Sequence, residues 1–154
     1  MADVLLTDFL TLERIRVPLV AQDKPAVLRE LTELLVEQFG GSLDDVLAAV
    51  EERERALSTG IGFGVAIPHG RSPSIPNVGL VCGLAAHPIS FDAVDGEPVR
   101  LVFLMAGPEV SAGQHVKVLS RIARLVRRED FRAGLMNATT PEQLRQAILQ
   151  AEEW

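Results

Sequence analysis

The sequence predicts an α/β fold: a single domain with a mixed β-sheet sandwiched by helices in three layers, α/β/α. Three observations carry this. Val78 to Ala86 and Val99 to Ala106 are nearly all apolar and of strand length, as strands covered on both faces are. Helical periodicity runs from Asp23 to about Leu57 and returns after Pro108. No internal repeat, low-complexity tract or linker divides the 154 residues. One domain over 1–154 is therefore expected, with its core at about 5–152.

Taken in order, Leu12 to Val20 is rich in Val, Ile and Leu around Arg14 and Arg16, and reads as a strand ending near Pro18. Asp23 caps a helix with Pro25 in its first turn. Val27, Leu31, Leu34, Leu35 and Gln38 keep its period, and Gly40-Gly41 ends it. Ser42, with Asp45 three residues on, has the spacing of a capping box and opens a second helix. The apolar stripe of that helix is Val46, Leu47, Val50 and Leu57. From Gly60 to Met105 the chain turns to Gly, Pro, Val and Leu with few acids. Val65 to Ile67 reads as a short strand, and Asp95-Gly96 as a turn between short strands. After Pro108, Val116, Leu119, Ile122, Ala123 and Val126 form a stripe opposite Lys117, Arg121, Arg124 and Arg128. Asp130 to Met136 reads as a short helix. Thr140 and Pro141 open the last one, with Leu144, Ala147, Ile148 and Ala151 inward.

Composition narrows the function classes. At 47% hydrophobic the chain can bury a sizeable core, which argues against disorder. A net charge of -6 argues against nucleic acid or an anionic membrane surface as partner. No apolar stretch approaches the roughly 18 residues of a membrane span. Acids near the N-terminus replace the basic residues of an export signal, so a cytoplasmic protein is expected. The single cysteine, Cys82, excludes an internal disulfide and any CxxC site.

The most unusual segment is Gly60-Ile61-Gly62-Phe63-Gly64-Val65-Ala66-Ile67-Pro68-His69-Gly70. Glycine at alternate positions removes side chains where backbone or ligand must come close. Pro68 fixes φ and removes a donor at the strand's end, just before His69. Val65, Ile67 and His69 share strand parity, so His69 leaves the sheet on the side that Val65 and Ile67 face. The glycines run into a strand, whereas a dinucleotide fingerprint follows a strand and opens a helix. Around His69 an apolar rim of Ile61, Phe63 and Ile75 is expected, with Arg71 close by.

Of the three histidines, His115 falls in the first turn of its helix, because Ser111 to Gln114 has capping-box spacing. It precedes Leu119 by four and Ile122 by seven, which puts it on the inward stripe. A helix N-terminus favours anions and neutral imidazole, so an inward histidine there can position a phosphate-like group. His87, before Pro88, reads as an exposed strand-end residue. Arg53 lies three after Val50 and four before Leu57, along the apolar stripe, whereas Arg55 faces solvent. An inward arginine needs a buried partner or an anion. No pair of histidines has i, i+4 spacing, and no Cys or acid accompanies them at ligand spacing, so no metal and no cofactor are expected.

Together these residues resemble the enzyme IIA domains of the bacterial phosphoenolpyruvate-dependent phosphotransferase system, of the fructose, mannitol and nitrogen-regulatory type. Arg53-Glu54, Ser58-Thr59-Gly60-Ile61-Gly62 and Pro68-His69 match that family's signature in order and spacing. Ile89 to Val99, with Phe91-Asp92 and Asp95-Gly96, and the His115-to-Leu119 spacing extend the match to nearly the whole chain, Leu5 to about Glu152. Leu57 departs from members that carry glycine there.

The resemblance implies a phosphocarrier. His69 would take the phosphoryl group, on its tele nitrogen, from a phosphorylated histidine-containing phosphocarrier protein. His115 and Arg53 would complete the active site, and a IIB domain or a regulatory target would be the acceptor. The chemistry suits the residue types. Neutral imidazole attacks phosphorus, and the phosphoramidate formed can pass the group on. Arg53, His115 and backbone N–H groups of the glycine segment would take the charge that develops on the phosphoryl oxygens. No fused IIB or IIC segment is seen, which leans toward the nitrogen-regulatory type. The alternatives are a free-standing IIA subunit of a fructose- or mannitol-type transporter, and a non-catalytic regulatory binding protein. A hydrolase using the His69–His115 pair on a phosphate ester is a weaker reading, since no acid or metal partner is recognisable.

Overall fold

A computed structural model describes residues 4–153, so residues 1–3 and 154 of the expected 1–154 domain lie outside the described residues. Caps set the first helical layer. α1 (Lys24–Phe39) starts at Asp23, whose Oδ1 accepts the Ala26 N–H at 2.9 Å, and ends at Gly40, which takes a φ of +90°. α2 (Leu43–Ala56) starts at Ser42, whose hydroxyl accepts the Asp45 N–H at 3.3 Å. The Ser42 N–H donates to Ser74 Oγ at 3.1 Å, so that half of the predicted capping box is replaced by a long-range tie.

Six strands make one mixed sheet: β1 (Ile15–Arg16), β2 (Gly60–Gly62), β3 (Val65–Ala66), β4 (His69–Arg71), β5 (Gly79–Ile89) and β6 (Val99–Gly107). The order is β1-β5-β6-β3-β2, and β4 continues along β6 beyond β3. β5 and β6 are antiparallel, whereas β1 lies parallel to β5, and β3 and β4 parallel to β6. The period of two then sorts the core. Leu80, Cys82, Leu84, Leu101, Phe103 and Met105 face one side, against α3 (Ala112–Val126), α4 (Glu129–Met136) and α5 (Pro141–Glu152). Val81, Ala85, Val102, Leu104 and Ala106 face the other, against α1 and α2. The predicted three-layer arrangement is thus the observed one. Each fully buried Leu, Ile or Phe contributes roughly 1.5–3 kcal/mol, so both faces of the sheet stabilise the fold.

Four local expectations are corrected. The strand read from Leu12 to Val20 shrinks to two residues. Leu12–Arg14 is a 3-10 turn, and after Arg16 the sheet keeps only the Leu19 N–H to Leu84 carbonyl bond. Pro18 has no N–H to extend the ladder. Asp95-Gly96 turns within the loop joining the two long strands β5 and β6 rather than between short ones. On α3 the buried set is His115, Val118, Ile122, Leu125 and Val126, while Val116 and Ala123 are exposed. The helix lies on the sheet one step round from the predicted phase. Ser111 makes no side-chain cap, because it closes the 3-10 turn Glu109–Ser111 that leads into α3.

Candidate functional site

The carboxyl ends of β4 and β6 lie side by side, His69 opposite Met105 and Arg71 opposite Gly107. From there β6 passes through Pro108 into the Glu109–Ser111 turn and α3. The last turns of α2 cover the other side of β4. Gly70 permits that approach: a Cβ there would lie 2.9 Å from the Ala49 carbonyl carbon and from the Val50 nitrogen. A cleft of about 480 Å³ opens at this junction, lined by Arg53, His69, Gly70, Arg71, His115 and Val116 among others. Such a crevice beyond strand carboxyl ends is where open α/β sheets hold ligands.

His69 and His115 meet edge to face, their ring centroids 5.6 Å apart and their planes at 69°. His69 Nδ1 lies 2.9 Å from the Ile67 carbonyl oxygen. A carbonyl only accepts, so Nδ1 carries the proton and the Nε2 lone pair is left free. Burial holds His69 below the usual histidine range. The Ile67 bond works against this, as does Glu54, while the charges of Arg53 and Arg71 add to it. His115 is only 2% exposed, and its Nδ1 meets no hydrogen-bonding partner among the described residues. Burial first, then the charges of His69 and Arg71, push it down to about 4. Both rings are therefore neutral at pH 7, a state in which Nε2 of His69 can act as a nucleophile.

Arg53 is half-buried in the cleft wall, and its Nη1 donates to the Leu57 carbonyl at 2.7 Å. It thus closes the end of its own helix while presenting its charge to His69. Arg71 pairs with Glu109 at 2.9 Å across the cleft mouth. Among the described residues, no three His, Cys, Asp or Glu side chains converge as a metal-holding group. His87, exposed on β5, takes no part in the cleft.

The glycine run does something other than cradle this site. Gly60 to Ala66 is the β2–β3 hairpin, and Val65 faces Leu101 four residues before the Met105 that faces His69. At about 3.3 Å per residue that is some 13 Å, and Phe63 lies farther still. Phe63 takes a φ of 61°, is 58% exposed, and sits under the Arg132 guanidinium at 4.2 Å. Ile75 is fully buried between α1, α2 and the sheet. The expected apolar rim of Ile61, Phe63 and Ile75 is therefore not built around His69, nor do the hairpin's N–H groups reach it. Val116 and Leu119 from α3 line the cleft instead.

Helix phase also misplaced Leu57, at the end of α2, and passed over Glu54. Leu57, expected on the apolar stripe, is 65% exposed. Glu54 is the buried member, four residues after Val50 on the same face. It accepts the Lys24 ammonium at 2.8 Å and both the N–H and the hydroxyl of Thr59. Burial alone would raise its carboxyl, but the bonds from Lys24 and Thr59 outweigh that and hold it below the usual carboxylate range. The legible signal was an acid continuing the Val46, Val50 spacing, which demands a buried partner.

Comparison with known proteins shows the family and the fold. The family described as "Phosphoenolpyruvate-dependent sugar phosphotransferase system, EIIA 2" matches residues 8–151. A nitrogen regulatory protein of Bradyrhizobium diazoefficiens is 38% identical over 126 residues, 82% of either chain. The fructose-specific EIIABC component of Bacillus subtilis is 32% identical over 96% of this chain, which spans 24% of that longer protein. The crystal structure of nitrogen regulatory protein IIA-Ntr from Neisseria meningitidis superposes with a TM-score of 0.86 at 33% identity, covering 93% of this chain and 98% of that one.

Proposed function

Because this chain belongs to the EIIA type 2 family of the phosphoenolpyruvate-dependent sugar phosphotransferase system, we propose that it carries a phosphoryl group on His69 Nε2. We place that work in the cytoplasm, with about residues 5–152 as the working unit. The observation that carries the reading is the Nδ1 bond to the Ile67 carbonyl, which leaves Nε2 as a neutral nucleophile in the cleft shared with His115, Arg53 and Arg71. The donor is a phosphorylated histidine-containing phosphocarrier protein. The His69 Nε2 lone pair forms a bond to phosphorus as the donor's P–N bond breaks, and the donor ring leaves with that electron pair. No metal is needed to balance the step, since one imidazole replaces another. As phosphorus moves, charge spreads over its three outer oxygens. The Arg53 fork grips two of them, and neutral His115 offers a hydrogen bond without adding charge. The Ile67 carbonyl supports the cationic character that the phosphorylated ring acquires.

Among acceptors, the nitrogen-regulatory reading is favoured by the 38% identity shared with a relative of similar length. A sugar-transport reading is favoured by the alignment of 96% of this chain with the fructose-specific protein. The first test is incubation with phosphoenolpyruvate, enzyme I and the phosphocarrier, followed by mass spectrometry and 31P NMR. An acid-labile phosphate on His69 Nε2, lost in His69→Ala, is expected. Label persisting in that variant overturns the assignment. Onward transfer to a fructose-type IIB domain, faster than spontaneous hydrolysis, would select the sugar-transport reading.

A further inference from the structure

The buried Glu54 touches neither cleft histidine, yet it stands at the head of a chain of hydrogen bonds that ends on one of them. Its carboxylate accepts the Thr59 N–H at 3.0 Å and the Thr59 hydroxyl. The Thr59 carbonyl in turn accepts the Ile67 N–H at 3.0 Å. The Ile67 carbonyl, one residue unit further, accepts His69 Nδ1–H at 2.9 Å. Lys24 anchors the head of the chain, bonding Glu54 at 2.8 Å and the Phe91 carbonyl at 3.0 Å.

We propose that Glu54, held by Lys24, is a positioning residue for phosphoryl transfer: by gripping Thr59 it keeps the Ile67 carbonyl on His69 Nδ1 and so keeps Nε2 the nucleophile. This rests on the phosphocarrier reading above. Stability alone does not call for this carboxylate. Its side chain is 4% exposed, and a buried ion pair is on average no better than apolar residues of the same size. What the ion pair adds is direction. Both donors of one residue, Thr59, are engaged by one carboxylate, which fixes that residue in a single orientation. The carbonyl of that same residue, on the next peptide unit, is the one that pairs with Ile67, and the ring's tautomer is set by the bond its Nδ1 makes. If Thr59 shifts, the Ile67 peptide loses its brace and His69 gains access to the Nε2–H tautomer, whose lone pair sits on the wrong nitrogen. The carboxylate's charge acts in the same sense, favouring the cationic character of the phosphorylated ring.

The test compares Glu54→Gln, Thr59→Val and Thr59→Ser with the parent. Long-range 1H–15N spectra of unphosphorylated protein at pH 8 read the His69 tautomer, single-turnover phosphorylation by the donor reads transfer, and thermal unfolding reads stability. In the parent, His69 is expected almost wholly as the Nδ1–H form. In Glu54→Gln and Thr59→Val the Nε2–H form should become populated and transfer should fall by about 10-fold, as loss of an orienting partner commonly does. Thr59→Ser, which keeps both donors, should restore both readouts. Should Glu54→Gln fail to fold, Thr59→Val carries the same reading, because it removes only the hydroxyl. An unchanged His69 spectrum in a folded variant overturns the proposal, as does a transfer loss that merely follows the unfolded fraction. The tautomer is read without phosphate. A parent that accepts no phosphate would therefore sink the phosphocarrier reading while the spectra still judge the effect of Glu54 on His69.

Discussion

His115 and Arg53 have different costs and therefore different tests. His115 sits below the ordinary histidine value of 6.5, at about 4, through burial and through His69 and Arg71, against the opposing charge of Glu109. The unfolded chain thus binds a proton that the folded chain refuses. Stability from this group is complete above pH 6.5 and is lost as pH falls toward 4. At about 1.4 kcal/mol per unit, roughly 3 kcal/mol is at stake. Denaturant titrations across that range should show His115→Gln losing less stability on acidification than the parent. Parallel curves for the two would count against a buried neutral His115. Arg53→Ala should cost about 1 kcal/mol for the Leu57 carbonyl bond but about 10²-fold or more in transfer rate. Arg53→Lys should recover only part of the rate, since ammonium lacks the fork. Full rescue by Lys, measured alongside melting temperature, would reduce Arg53 to a helix cap. The places of His69, His115 and Arg53 on one cleft were legible in the sequence, because parity and helix spacing set them without knowledge of distant partners. For Glu54 the spacing was a signal but not a deciding one, because its partner Lys24 stands thirty residues away and Arg53 beside it fits the same stripe about as well.

At the scale of elements, the site depends on how closely α2 lies over β4. Gly70 sets that distance, and the two nearest atoms its Cβ would meet are backbone, which cannot swing aside. Gly70→Ala should therefore destabilise by about 1–3 kcal/mol and move α2 outward, carrying Arg53 off the cleft. Transfer should fall further than in a core variant of equal stability on the far face, such as one at Ile148. Equal losses in the two would show that the α2–β4 distance does not matter to the chemistry. The two long strands were legible because strands covered on both faces have no polar side to confuse. The role of the glycine hairpin was not. Glycine announces close approach, but here what approaches is Ala93, whose Cβ would lie 2.7 Å from a Cβ on Gly60, and Asp95, which accepts the Phe63 N–H. Those partners are set by tertiary register. The phase of α3 failed for a related reason: its apolar residues support two adjacent stripes, and only the sheet beneath chooses between them.

For the whole molecule, the three layers follow from sequence because each needs only its own periodicity. The closure of the N-terminal segment onto α5 follows from nothing local. Glu152 accepts the Leu6 N–H at 2.7 Å and the Thr7 N–H at 3.0 Å, and pairs with Arg121 at 3.2 Å. Arg145 adds a bond to the Leu10 carbonyl at 2.8 Å. Residues 6 and 152 are thus neighbours in space, and the polypeptide path is nearly a ring. Such a ring can be cut elsewhere. A circular permutant joining residue 153 to residue 4 by a short Gly/Ser linker, with new ends between Gly96 and Glu97, breaks an exposed loop at the end of β6 remote from His69. It should fold cooperatively to within about 2 kcal/mol of the parent and keep the His69 chemistry. It should also fold more slowly, because the β5–β6 pairing, closed by a short loop in the parent, would become the most distant contact in the chain. Stopped-flow refolding measures this: a slower folding limb with an unchanged unfolding limb would mean that the β5–β6 hairpin forms early, whereas unchanged refolding would place nucleation elsewhere.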